Sequence, residues 1–580
     1  MLGLRRAAIV GLSCLCVIIA ALEDGCCGEV VEGDLGRRLD EYLTRIVPFG
    51  FSGAVLVARD GKVILNKGYG PAIRSEEIAN TSETVFSTGS ITKQFTAAAI
   101  MKLEMLGKLN TDDKIKRYLG GVPQDKVDIT LHHLLTHTAG VLPSSGSDYT
   151  IAHRDTTVKK ILDSPLEFTP GTRFSYSNAG YTLLAAIVEQ VSGQPYEQFL
   201  NEQLFQPAGM KFTGYRMPDW DGRVVAHYYV GDTDNGTPLE REYPYWNLIG
   251  NGGILSTTDD MFKWHLALMG DGVLSEAAKA KLYTPFLNDY AYGWDVLESE
   301  HGTLIRHDGG SMLGNAAEIR RYVDAGVVTI VFCNADGEKV LFDGLRERIE
   351  HIVFGGEVWT PPAPVPLDPA ELSKFAHVYN PESGGTFTVT EEGEGLRITP
   401  DGHGAMNVLA FPEFEDPSLL HNDLDERAYM LFDAVLRGDY GMFRVELRDE
   451  ERTERFKQFI ETRLEKHRGQ TGKIRQVHVF GTLPGHAPGE VLTLVVLRGV
   501  SGGQVVFRLH WVQGELAGIS ATEAVEPVSM HLIPVSPTRF AGYNIGWGKG
   551  ITIDFEVDRH NSVRSLTIPT AGEDIVAARR

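Results

Sequence analysis

Cysteine is scarce in this chain and badly placed for bridging. Of five cysteines in 580 residues, Cys14, Cys16, Cys26 and Cys27 crowd the amino terminus and only Cys333 lies in the body of the sequence. That distribution holds neither a disulfide framework nor a CxxC zinc pattern, and Cys333, inside VTIVFCNAD, reads as a buried strand residue. Positive charge is in deficit too: 55 Lys+Arg stand against 77 Asp+Glu, a formal net charge of -22. Such a surface repels phosphate backbones, so neither nucleic acid nor an anionic membrane is an expected partner. No strict internal repeat is visible, and a membrane-length apolar run is lacking. The composition, 43% apolar and 23% charged, is that of an ordinary globular protein too long for one core.

The amino terminus differs from the rest. Arg5 and Arg6 precede sixteen uncharged, mostly apolar residues, AAIVGLSCLCVIIAAL, and then EDGCCGE. The apolar stretch is short for a span, so residues 1–25 read as a signal peptide and the chain is expected to be secreted or periplasmic. The alternative is an uncleaved anchor, which would be the chain's one membrane contact. The acidic LEDG ahead of Cys26 makes a poor lipoprotein cleavage site.

Proline marks the main boundary. Five prolines in nine positions, within VWTPPAPVPLDPAE, form a stiff linker at 358–370. Ahead of it, SGAVLVARDGKVILNKGYG predicts a hairpin turning at Asp60-Gly61, and NAAEIRRYVDAGVVTIVFCNAD predicts another strand pair. Helical stretches such as QFTAAAIMKLEMLGK lie between, so region 35–357 is expected to be an α/β (α+β) sheet flanked by helices, its strands drawn from both ends. Beyond the linker, Ile551, Ile553, Phe555 and Val557 alternate with Thr552, Asp554 and Glu556, the pattern of half-buried antiparallel strands. Phe456, Phe459, Ile460 and Leu464 instead fall at helical spacing and precede three strand-like runs. The carboxy-terminal half is therefore expected to be a small β-barrel, 367–420 plus 526–580, carrying an inserted α+β module at 421–525.

The chemistry centres on FSTGSITKQFTAAAI, where Ser90 precedes Lys93 by three residues. A serine hydroxyl is a weak nucleophile until a base takes its proton, and a lysine serves only if burial or positive potential lowers its pKa. On a helix the i, i+3 spacing puts both on one face at the positive end of the dipole. Alone the tetrad proves little, since SxxK arises by chance about once or twice in a chain of this length and serine often caps helices. Two further sets accompany it, in order: Tyr176-Ser177-Asn178 before an amphipathic helix, and His307-Asp308-Gly309-Gly310 closing a strand-like run. Other short matches fall in the wrong context: Tyr245-Trp246-Asn247, His467-Arg468-Gly469, and GVSGG at 499–503, which reads as a hairpin between strands. His133 and His137 stand four apart without the Glu of an HExxH site, so no metal is expected. Trp511 and Trp547 read as core residues.

With TVFSTGSITKQFTAAAI, ITLHHLLTHTAGV, PGTRFSYSNAGYTLLAAIVEQVSGQPYEQFL and GNGGILSTTDDMFKW, the chain resembles the penicillin-recognising serine hydrolases over roughly 36–350. The resemblance is to the branch of class C β-lactamases, D-alanyl-D-alanine carboxypeptidases, D-aminopeptidases and esterases. It implies a β-lactamase/transpeptidase-like fold without cofactor. Ser90 would be acylated, Lys93 would accept its proton and Tyr176 would relay one. Asn178 would bind the substrate and Lys93, and the backbone N–H groups of Ser90 and Gly310 would form the oxyanion hole, Gly309 and Gly310 allowing close approach. His307 stands where class C β-lactamases carry lysine, which implies poor β-lactam hydrolysis and little preference for a free carboxylate. The barrel is similar to a lipocalin-like one and the insert to the NTF2-like cone fold. Either module is placed to cover the active-site mouth, to bind a ligand or to mediate assembly. The expected substrate is a small ester or a short D-residue-containing peptide or amide. The alternatives are a DD-carboxypeptidase on cell-wall peptides, a weak β-lactamase, or a non-catalytic binding protein on the same scaffold.

Overall fold

The computed structural model describes residues 28–336, 344–382, 384–410, 422–484, 490–501, 503–522, 529–546 and 548–580. The presumed signal peptide with Cys14, Cys16, Cys26 and Cys27, and also Trp547, lie outside them. Among the described residues no helix is long and apolar enough to cross a membrane.

The amino-terminal domain is built on a seven-stranded antiparallel sheet. Its strands are β1 (Val30–Val31), β2 (Gly53–Arg59), β3 (Lys62–Tyr69), β4 (Asp295–Ser299), β5 (Gly302–Gly310), β6 (Ala316–Tyr322) and β7 (Val327–Cys333), in the spatial order β1-β3-β2-β7-β6-β5-β4. Both chain ends of the domain supply strands, joined where β2 pairs with β7 from Gly53↔Cys333 to Arg59↔Val327. The hairpin of β2 and β3 turns at Asp60 and Gly61, both at positive φ as a two-residue turn of this kind requires. β1 lies ahead of residue 35, so the sheet begins before the boundary read from the sequence.

The period-2 alternation sorts side chains to two faces. Ala54, Leu56, Ile319, Ile330 and Phe332 pack with α2 (Thr92–Met105) and α3 (Asn178–Ser192) on one side. Val55, Val57, Val331 and Cys333 pack on the other against α1 (Gly33–Ile46) and α4 (Arg346–Val353). α2 is buried on every side from Thr92 to Met101, which its small alanines permit, since a helix wrapped by others has no solvent face to leave polar.

The carboxy-terminal half holds an eight-stranded closed antiparallel barrel. β8 (Val378–Pro381), β9 (Thr386–Glu392) and β10 (Gly395–Asp401) precede the insert. The insert packs α5 (Asn422–Leu436), α6 (Gly441–Leu447) and α7 (Glu450–Thr471) on a sheet of β11 (Ile474–Pro484), β12 (Glu490–Gly499), β13 (Gln504–Val512) and β14 (Glu515–Thr522). The barrel then resumes with β15 (Met530–Pro534), β16 (Arg539–Asn544), β17 (Lys549–Val557), β18 (Val563–Ile568) and β19 (Ile575–Arg579), which closes on β8. Its interior is filled by Phe375, Phe387, Phe540 and Phe555; the Phe375 and Phe555 ring centroids stand 4.7 Å apart.

The barrel docks through Tyr543. Its hydroxyl hydrogen-bonds that of Tyr42 on α1 at 2.9 Å, Trp359 of the proline linker stacks on its ring at 5.5 Å, and Ile545 joins the cluster of α1 and α4. This is the sheet face opposite α2. The barrel's anchorage therefore lies on the far side of the sheet from Ser90, not over the cleft, which removes this contact as a lid for the mouth.

Candidate active site

Ser90 sits in the tight turn Gly89–Ile91 that leads into α2, and Lys93 is in the helix's first turn. The helix has no side-chain cap, so Ser90 does not serve as one. Gly89 is at φ +51, and a Cβ there would run into the backbone of Gly310. A Cβ on Gly309 would run into Ser90 N and Thr88 O. Glycine at both positions lets the end of β5 press against the turn, bringing the Ser90 and Gly310 backbones side by side. β5 pairs with β6 as far as Gly310, but with β4 only from Gly302 to Arg306, so 307–310 present an unpaired edge to the cleft.

Lys93 is 0% exposed, and its ammonium group has three partners: Ser90 Oγ at 3.1 Å, Asn178 Oδ1 at 2.7 Å and Asn251 O at 2.7 Å. The two carbonyl oxygens only accept. In the neutral amine they hold both N–H groups, and the lone pair is left facing the serine hydroxyl, which can donate. Burial brings the Lys93 pKa down to about 7, against the opposing pull of Asp148 and Asp308. Tyr176 lines the cleft beside Ser90, and its ring centroid lies 4.6 Å from Lys93 Nζ. Desolvation pushes the phenol pKa up, although the residue as a whole is 37% exposed. Asn178 begins α3 directly after Ser177, whose side chain caps that helix by accepting from Gly180 N at 3.0 Å.

His307 is held as a neutral ring. Its Nδ1–H donates to Asp308 O at 2.6 Å and its Nε2 accepts from Tyr290 Oη at 3.0 Å. Desolvation, with the Lys93 charge second, drives its pKa down to about 3. Asp295 on β4 moves the other way, to about 6, through burial, with Arg306 opposing. The cleft has a volume of about 360 Å³ and is lined by Ser90, Tyr176, His307, Gly309 and Gly310 together with Phe174, Tyr290 and the two aspartates. Asn178 and Lys93 stand behind it.

All seven residues singled out by sequence, Ser90, Lys93, Tyr176, Asn178, His307, Gly309 and Gly310, thus converge on one cleft. The other short matches fall elsewhere. Asn247 is buried against Ser145 and Ser147, His467 and Arg468 ride on α7, and Ser501 lies in the turn between β12 and β13. Trp511 is fully buried in the insert. Three residues of the site were missed: Asn251, whose carbonyl holds Lys93; Tyr290, which fixes His307; and His137, stacked 4.2 Å from Tyr176. The first two carry no side-chain motif, and His137 stood out only for its spacing from His133.

A buried lysine beside a serine at a helix start, with backbone amides opposite, defines the class of serine acyl hydrolases. Residues 50–353 match the beta-lactamase family. The chain belongs to that family, a superfamily of serine hydrolases. It is 31% identical over 396 residues to Penicillin-binding protein 4* of Bacillus subtilis, covering 63% of this chain and 87% of that protein. The putative penicillin-binding protein PbpX of the same organism is 33% identical over 276 residues, covering 47% and 68%. In fold, the chain is similar to the octameric penicillin-binding protein homologue from Pyrococcus abyssi, with a TM-score of 0.50 at 18% identity, covering 94% of this chain and all of that one.

Proposed function

We propose that the chain is a serine hydrolase that forms an acyl-enzyme at Ser90 and acts on a small ester or a short peptide or amide with D-residues. The observation that carries this reading is the placement of Lys93: buried, with both amine N–H groups taken by carbonyl oxygens and the third direction facing Ser90 Oγ. Ser90 Oγ attacks the carbonyl carbon while its proton passes to the neutral Lys93 amine. The carbonyl π electrons move to the oxygen, which is stabilised by the Ser90 and Gly310 N–H groups. As the tetrahedral intermediate collapses, the bond to the leaving group breaks and that group takes the proton, with Tyr176 on the path. Water, deprotonated by the same lysine–tyrosine pair, then releases the acyl group and restores Ser90. Lys93, neutral near pH 7, is the base, and Tyr176, whose phenol stays protonated, can only relay a proton.

The neutral state of His307 favours esters and amides over substrates recognised through a free carboxylate, because the group that would face the carboxylate carries no charge. This weighs against the carboxypeptidase and β-lactamase readings. The basic, apolar start of the sequence supports export.

The test is hydrolysis of a p-nitrophenyl short-chain ester, and of a D-alanyl anilide, by the wild type and Ser90→Ala. Turnover that disappears with Ser90 is the expected result. Equal rates in the two proteins, or none with either substrate class, would point to a binding protein on this scaffold.

A further inference from the structure

We infer that His137 is a positioning residue for Tyr176, clamping the backbone on both sides of the tyrosine and packing against its ring. The inference rests on the reading of Ser90, Lys93 and Tyr176 as the reacting groups. His137 follows the short helix Leu131–Leu135 and is 2% exposed. Its carbonyl accepts from Ser175 N at 2.9 Å, and its Nδ1 accepts from Ser177 N at 3.0 Å. The residue between those two donors is Tyr176, whose ring centroid lies 4.2 Å away, tilted by 37°. Tyr290 packs on the imidazole at 4.6 Å and Tyr181 at 5.0 Å, so the ring is enclosed by aromatic side chains.

Two features mark this as more than filling. His137 holds φ +56, a left-handed conformation unfavourable for a residue with a Cβ and retained where the surroundings require it. Ser177, moreover, is the cap of α3, so its own N–H lies outside the helical ladder and takes the imidazole as acceptor. Nδ1 accepts only while it is itself unprotonated, a state that burial and the neighbouring Lys93 charge favour. Histidine alone combines the acceptor with the aromatic face. Phenylalanine keeps the face and loses the acceptor. Asparagine offers an acceptor at about the same place, tolerates positive φ and loses the face.

The experiment is a double-mutant cycle on the full-length protein. His137→Phe, His137→Asn, Tyr176→Phe and both doubles are assayed beside the wild type and Ser90→Ala, on whichever of p-nitrophenyl acetate and D-alanyl p-nitroanilide the wild type turns over. Melting temperatures are measured in parallel. His137→Phe is expected to lower kcat about 10²-fold with KM little changed, as misplacement by about 1 Å does, and His137→Asn about tenfold. In the Tyr176→Phe background each should cost less than about threefold, because the group being positioned is gone. Wild-type kcat in both singles overturns the inference. So does a loss of the same size in both backgrounds, which would make His137 a general support of the fold. If His137→Phe does not fold, the His137→Asn cycle decides by the same two criteria. A wild type without Ser90-dependent turnover refutes the reading of the site and this inference with it. Ser90-dependent turnover with additive losses refutes this inference alone.

Discussion

The two halves of the molecule bury opposite things. Around α2 the amino-terminal domain buries Lys93, His137 and His307, each held away from its ordinary pKa by desolvation. The barrel buries phenylalanines and keeps ion pairs such as Arg539–Asp554 at its surface. Removing an ionisable group from water is costly, and a fold that needs only stability avoids it, as the barrel does. At Ser90 that cost is borne by Lys93 and His307, with the Gly309 and Gly310 backbones beside them. Ionisable groups are also buried away from the cleft, His265 against Arg321 among them, so burial marks a site only together with the serine and the close glycine backbones.

The sharpest way to break this contrast is to exchange serines. Ser90→Ala should lower turnover by about 10⁴-fold or more, whereas Ser501→Ala, in the β12–β13 turn, should leave it unchanged; ester hydrolysis by the two variants decides. Next in size is Gly309→Ala. The added methyl would meet Ser90 N and Thr88 O and spread the two backbones proposed as the oxyanion hole, and it is expected to cut kcat by about 10²–10³-fold. Gly384→Ala, with open space around it, makes the barrel control, allowing for its φ of +88.

The pH profile sharpens the electrostatic half of the comparison. Lys93 acts as acceptor only when neutral, and its pKa is about 7, so kcat/KM should rise with pH through that value. The rise from pH 6 to pH 8 should be about tenfold. A profile flat across that window would place the proton elsewhere. In the barrel, Phe555→Ala should lower stability by about 3–5 kcal/mol, read by denaturant titration, with kcat per folded molecule unchanged. A parallel fall in kcat would show that the halves are energetically coupled. The smallest effect is expected at their junction. Tyr543→Phe removes the hydrogen bond to Tyr42 and should cost about 1 kcal/mol in the same titration.

Much of the frame was legible because it is local. Asp60-Gly61 marks a hairpin wherever two alternating runs flank it, and the buried face of β17 follows from Ile551, Ile553 and Phe555 alone. The Ser-x-x-Lys spacing likewise puts Ser90, in the turn that leads into α2, beside Lys93 in the helix's first turn. What was misjudged is instructive. His137 read as packing or as a remote metal candidate, since its spacing from His133 suggested a shared helix face. In the molecule His133 closes a capping box with Thr130, and His137, past the helix end at positive φ, turns to a loop about 40 residues further on. Tyr290 sits in no motif, and Asn251, inside GNGGILSTTDDMFKW, acts through its carbonyl, which no side-chain pattern announces.

The sequence by itself determined the order of the elements, the division at the prolines, and the residue types able to do acyl transfer, because periodicity, turn chemistry and side-chain reactivity are properties of short segments. Only the tertiary structure decided that Lys93 loses its solvent, that His307 is neutral and that the Ser90 and Gly310 amides stand together. These are effects of desolvation and close backbone approach, and both are supplied by segments far apart in the chain, whose contribution exists only once they are packed.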